Sequence, residues 1–170
     1  MNLKKIKQVA LIAMLIALYF VLSAMLKIPI AGHITLDLGY IALMVGAVYL
    51  GAAPGMMIGG MGAFLESALM SQRGVSPGWI VMNILVGGVV GWFLHRIAPE
   101  ERKKLIVTAV IVVPVSVFLG AAIKMFIDCA MYDLPIVLKI PTTIAAWLSD
   151  SAVMLAAGLP LSVALRSRLK

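Results

Sequence analysis

The chain has 170 residues, of which 63% are hydrophobic and only 12% charged, with a mean hydropathy of +1.10. Soluble domains run near half apolar and a quarter charged, so water is excluded as the main solvent and one membrane-embedded domain over 1–170 is expected. The net charge of +7 does not mark a nucleic-acid binder, because the bases sit in short flanks between apolar runs rather than along one face of a soluble helix.

Cys129 is the only cysteine, which excludes an internal disulfide and a zinc site of the cysteine type. A hydrocarbon slab about 30 Å thick takes roughly 20 apolar residues per helical crossing, so a chain of this length holds at most about six crossings. The expected fold is all-α, a bundle of six transmembrane helices.

The start, with Lys4, Lys5 and Lys7 before an apolar run, has the form of a secretory signal. That run extends for about 19 residues and more membrane segments follow it, which points to a retained first crossing from about Gln8 to Leu26. Pro29 and Gly32 then mark a first loop that holds His33 and Asp37. The apolar run from Gly39 to Leu50 is short for a spanning helix and ends before Pro54, so this segment is tilted or partly buried. A third segment covers Gly55 to Met70, a loop Ser71 to Pro77, and a fourth segment Gly78 to His95. Arg96 to Lys104 is a solvated turn. Leu105 to Tyr132 makes a long fifth helix, with a kink expected at Pro114. Asp133 to Pro141 is expected to be a loop, and Thr142 to about Leu165 the sixth helix.

Cytoplasmic loops retain Lys and Arg, so alternate sides of the six crossings can be compared. One side carries Lys4, Lys5, Lys7, Arg96, Arg102, Lys103, Lys104, Arg166, Arg168 and Lys170, the other only Lys27, Arg73 and Lys139. Both termini are therefore expected in the cytoplasm.

A charged side chain at mid-membrane costs at least about 2.5 to 3.5 kcal/mol, so each one is a functional candidate. Glu66, Lys124, Asp128 and Asp150, with the amide of Asn83, all fall in the outer half of their helices at a rise of about 1.5 Å per residue. A cup open to the outside needs that asymmetry, whereas a channel or proton relay strings polar groups through the full thickness. Lys124 and Asp128, four residues apart, share a helix face and either neutralise each other or face a ligand. A pocket with both signs of charge suits a zwitterionic or heteroaromatic solute. Trp79, Trp147 and Tyr132 lie near the same level, where an interfacial aromatic belt is the simpler reading and ligand stacking the sharper one. His33 and Asp37 are candidate lid contacts or a solvated loop pair. Ala13-x-x-x-Ala17 in the first helix permits close helix approach, inside the bundle or toward a partner.

Four features together resemble the S components of energy-coupling factor transporters, small six-helix membrane proteins that bind vitamins or their precursors. They are the Ala13-x-x-x-Ala17 helix, the string from Ile34 to Tyr40, the Gly51-Ala-Ala-Pro-Gly55 turn into a glycine-rich helix, and the helix entry from Gly78 to Asn83. The resemblance implies that Ala13 and Ala17 face a transmembrane coupling subunit and that two ATPase subunits supply the energy. It also implies that the first loop closes over a pocket built by helices four to six, and that the bundle topples to deliver its solute. Riboflavin, folate, pantothenate, pyridoxine-like compounds and pyrimidine or queuosine precursors all remain open as ligands. The chain carries no G-x-x-x-x-G-K-[ST] phosphate loop, so ATP hydrolysis falls to partners. No cofactor or metal is expected. The competing readings are an intramembrane enzyme using the buried carboxylates, which lacks any paired His or Ser-His-Asp set, and an accessory subunit of a larger complex.

Overall fold

The computed structural model describes residues 3–26, 28–31, 34–71 and 74–168. Its helices are α1 (Leu3–Met25), α2 (Gly39–Leu50), α3 (Ala52–Met70), α4 (Pro77–Leu94), α5 (Arg102–Tyr132), α6 (Ile136–Val153) and α7 (Leu159–Arg168). A π-helical turn, Met154–Gly158, joins α6 to α7 without a break, so the described residues form a bundle of six helices. Among the described residues, four helical stretches are long and apolar enough to cross a membrane: Lys5–Met25, Pro77–Leu94, Arg102–Tyr132 and Ile136–Arg166.

The expected helices all form, and the boundaries differ in two instructive places. The last helix starts at Ile136, so Pro141 lies inside it rather than in the preceding loop. Pro135 caps this helix in an extended conformation, and Pro141 falls in its second turn, where it withdraws one backbone donor. The fifth helix starts at Arg102, so the last residues of the expected solvated turn, Arg102 to Lys104, are its first turn, and it runs through Pro114 to Tyr132 as one element. The first loop also holds something the periodicity did not announce, a two-stranded antiparallel hairpin of β1 (Ile28–Ala31) and β2 (Ile34–Leu36), which packs against α6.

Short α2 is the centre of the bundle, with nine of its twelve residues buried, among them Tyr40, Leu43, Met44 and Val48. A helix that is apolar all round has to be enclosed by others, which explains how a segment too short to span is kept. Around it, α3 and α4 make the most extensive helix pair. Their backbones touch at Gly55 and Gly87, where a Cβ on Gly55 would stand 2.5 Å from the Gly87 carbonyl oxygen. Lipid supplies little hydrophobic drive between helices, so close van der Waals approach over small residues does this work instead.

At the end where α2, α4 and α7 finish, the Arg166 guanidinium donates to the carbonyls of Val48 at 2.7 Å, Ile97 at 2.9 Å and His95 at 3.0 Å. One side chain therefore satisfies carbonyls that helix ends leave without partners, and its positive charge suits the negative end of their dipoles. Arg96, Arg102, Lys103 and Lys104 lie at this same basic end.

Candidate functional site

A cavity of about 510 Å³ opens between α4, α5 and α6 at the opposite end of the bundle, within the range of small-molecule sites. Trp79 and Met82 of α4, Ala121, Lys124 and Asp128 of α5, and Lys139 and Ala146 of α6 line it. The sequence expectation of a pocket among helices four to six thus has a physical counterpart. Lys124, Asp128 and Lys139 also line a second recess of about 430 Å³, toward the α3–α4 loop and the end of α5.

The wall between the two recesses is ionic. Lys124 Nζ lies 2.8 Å from Asp128 Oδ2, and Lys139 Nζ reaches the same oxygen at 3.8 Å. Lys124 and Asp128 therefore do pair, as their four-residue spacing allows, while Asp128 Oδ1 is buried without a hydrogen-bond partner. Gly78 brings the start of α4 onto this pair: a Cβ there would stand 2.7 Å from Asp128 Oδ1 and 3.0 Å from the Lys124 carbonyl. The glycine at that helix entry is thus required by the approach of α4 to the carboxylate.

Beneath the cavity lies a set of aromatic and acidic groups. Tyr40 of α2 meets Trp79 edge to face at 6.1 Å between ring centroids, and Tyr19 of α1 meets Tyr40 at 6.4 Å. Asp150 sits one turn below Ala146 on the same face of α6 and is almost fully buried. Tyr40 and Asp150 are close enough to act on each other electrostatically, yet neither the Tyr40 hydroxyl nor Asp150 Oδ2 completes a hydrogen bond of ordinary geometry. Trp79 Nε1 and Ser151 Oγ are likewise buried without partners. Such groups cost about 1 to 3 kcal/mol each when left unmade, so their concentration here needs a reason.

The remaining sequence candidates divide into fasteners and outliers. Asn83 is fully buried, accepting from the Tyr19 hydroxyl at 3.0 Å and donating to the Trp79 carbonyl at 2.9 Å, so it holds α1 to α4 behind the cavity. Asp37 accepts from Ser23 Oγ at 2.6 Å and from the Gly39 amide at 2.8 Å, tying the end of α1 to the first turn of α2. It is buried, so the solvated-loop alternative does not describe it. Glu66 is buried on α3, in electrostatic reach of Tyr19 and away from the cavity lining. Trp147 donates from Nε1 to the Pro114 carbonyl at 2.8 Å and packs on Phe118, which fastens α6 to α5 outside the lining. His33 lies outside the described residues. Ala13 and Ala17 are both exposed on the outer face of α1.

Sequence reasoning passed over Tyr19, Tyr40 and Ser151. A tyrosine at the end of an apolar run reads as an interface residue, and only the burial of α2 encloses Tyr40. Among the described residues no three His, Cys, Asp or Glu side chains gather as a metal site.

No curated protein sequence matches the chain. Among solved structures it is similar to the S component for biotin of an ECF-type ABC transporter, with a TM-score of 0.66 and 17% identity over 99% of this chain and 93% of that one. At that identity the likeness carries the fold. The family model for the S component of ECF-type riboflavin transporters matches residues 3–167. A match over nearly the whole length, on a bundle with a polar cavity at one end, means that the chain belongs to this family: it is a substrate-specific membrane subunit of an energy-coupling factor transporter for a vitamin, and not an enzyme.

Proposed function

We propose that the cavity between α4, α5 and α6 captures a polar heteroaromatic vitamin of the riboflavin class. The observation that carries this reading is a cavity whose lining holds a buried donor and a buried acceptor without partners, Trp79 Nε1 and Asp128 Oδ1, above a second such set, the Tyr40 hydroxyl and Asp150 Oδ2, that lies beneath the lining. The pyrimidine edge of a flavin presents two carbonyls flanking an N–H, and that pattern needs both kinds of partner. Trp79 also offers a ring edge or face to a planar ligand.

In this reading Trp79, Lys124 and Asp128 touch the solute, Asp150 sits at the floor, and Asn83, Asp37, Glu66 and Trp147 hold the surrounding helices. His33, with the hairpin of the first loop, closes the mouth. The basic end faces the cytoplasm together with both termini, as positive residues require, and the cavity opens to the outside of a prokaryotic cytoplasmic membrane. Ala13 and Ala17 contact the transmembrane coupling subunit, to which two ATPase subunits deliver the energy.

Titrating the purified protein with riboflavin while following quenching of flavin fluorescence tests the ligand. Saturable one-to-one quenching, unaffected by excess biotin, is the expected result. Failure to bind riboflavin while a different vitamin copurifies would overturn the flavin assignment and keep capture; binding of no vitamin at all would overturn both. Ala13→Leu or Ala17→Leu is expected to spare binding and abolish uptake in cells carrying the full transporter.

A further inference from the structure

On the lipid-facing side of the bundle, two contiguous recesses of about 570 and 300 Å³ run along the seam of α3 and α4. Met56, Met57, Met61 and Phe64 of α3 and Ile84 and Trp92 of α4 form their walls, and Met56 and Ile84 belong to both. Unlike the capture cavity, this groove is almost wholly carbon and sulfur, so a vitamin with polar edges would find no partner in it.

The groove has a direction. It runs from Phe64 to Ala52 along α3, about 18 Å at the helical rise, and from Ile80 to Phe93 along α4, about 20 Å, which is well over half of a roughly 30 Å hydrocarbon core. Its lower end is Trp92, and over the Trp92 ring lies the Arg96 guanidinium, 3.7 Å from the ring centroid. Arg102 and Lys103 follow at the start of α5, while the nearby Glu101 is engaged by Lys104 at 3.1 Å. A long apolar slot with a cation fixed at its interfacial mouth matches the two halves of an anionic phospholipid. Methionine thioethers, flexible and polarizable, suit a chain that takes many conformations. Trp92 at the mouth places an amphipathic ring where headgroup and acyl chain meet.

From this we infer that the α3–α4 groove is a binding site for an anionic glycerophospholipid of the leaflet at the basic end, with one acyl chain against the methionines and the phosphate at Arg96. The bound chain fills the seam of the most extensive helix pair.

Native mass spectrometry tests this on the intact chain in detergent with phosphatidylglycerol and phosphatidylethanolamine offered in equal amounts. One basic residue near an anionic surface is worth enough to give about a fivefold preference for the anionic lipid. The expected result is that preference in the parent protein, its loss in R96A with lipid still bound, and loss of both lipids in M57W. V110W, on the exposed face of α5, is expected to keep the parent pattern. Should M57W not fold, M61W fills the same groove. Absence of preference in the parent, an unchanged preference in R96A, or full lipid retention in the folded groove-filling variant overturns the proposal.

Discussion

The two ends of the bundle handle polar groups in opposite ways. At the basic end, Arg166 donates to three carbonyls from two other parts of the chain, and the His95 ring adds a contact to the Val48 carbonyl at 3.2 Å. Donors and acceptors are closed upon the protein itself. At the cavity end, Tyr40, Trp79, Asp128, Asp150 and Ser151 each leave a buried polar atom without a partner. Folding alone gains nothing from such atoms, so the contrast separates polar groups that hold the fold from those that wait for a solute.

The comparison is broken most forcefully by Arg166→Ala. Three hydrogen bonds from a charged donor disappear and carbonyls of α2 and α4 lose their cap, which should cost about 3 kcal/mol or more. A large drop in thermal midpoint in detergent is expected, while the vitamin affinity of the fraction that remains folded is unchanged. Weakened affinity with an unaltered midpoint would mean that the two ends are not separate in function.

Asp150→Asn reverses the pattern. It keeps the shape of the side chain but replaces a buried carboxyl group whose Oδ2 has no partner of ordinary geometry, so the folded protein should be as stable as the parent or more so. Vitamin affinity is expected to fall by about tenfold, the step that one hydrogen bond of about 1.4 kcal/mol represents. Calorimetric titration beside a melting curve checks both halves.

These two residues also show what was legible in the sequence. Asp150 stood out because a carboxylate in an apolar helix has a known cost, so its position alone made it a candidate. Arg166 drew attention only as part of a basic flank that orients the chain. Its partners at Val48, His95 and Ile97 are far away in sequence and meet it only once the helices have packed. The same distinction runs through the fold. Helix positions followed from apolar runs, since membrane thickness imposes their length. The start of α6 at Ile136 did not, because a proline near a helix start is tolerated and a proline in a loop looks the same from sequence. Tyr40 was missed for a related reason: burial of α2 depends on α1, α3, α4 and the last helix, and no local pattern records it.

A middle-sized effect is expected for the ionic wall of the cavity. Lys124→Met leaves Asp128 with only the longer Lys139 contact, and Asp128→Asn leaves both lysines without their carboxylate. Each change should weaken vitamin binding. In a double-mutant cycle the two should couple by about 0.5 to 3 kcal/mol, as expected of residues in direct contact. Additive effects on affinity would mean that Lys124 and Asp128 act on the ligand separately despite their 2.8 Å contact.

The smallest effect belongs to Trp147, whose indole sits at the level of the cavity yet turns its N–H to the Pro114 carbonyl. Trp147→Phe removes that hydrogen bond and keeps an aromatic ring for Phe118, so a loss of about 1 kcal/mol in stability is expected. Vitamin affinity should stay within about twofold of the parent, well under the tenfold step that 1.4 kcal/mol represents. Depth in the membrane placed Trp147 beside Trp79 in the sequence, and orientation divides them: one indole N–H is engaged by a neighbouring helix, the other is buried at the cavity without a partner. A larger fall in affinity for Trp147→Phe than for Trp79→Phe would show that this division, and with it the contrast between satisfied and waiting polar groups, does not govern binding.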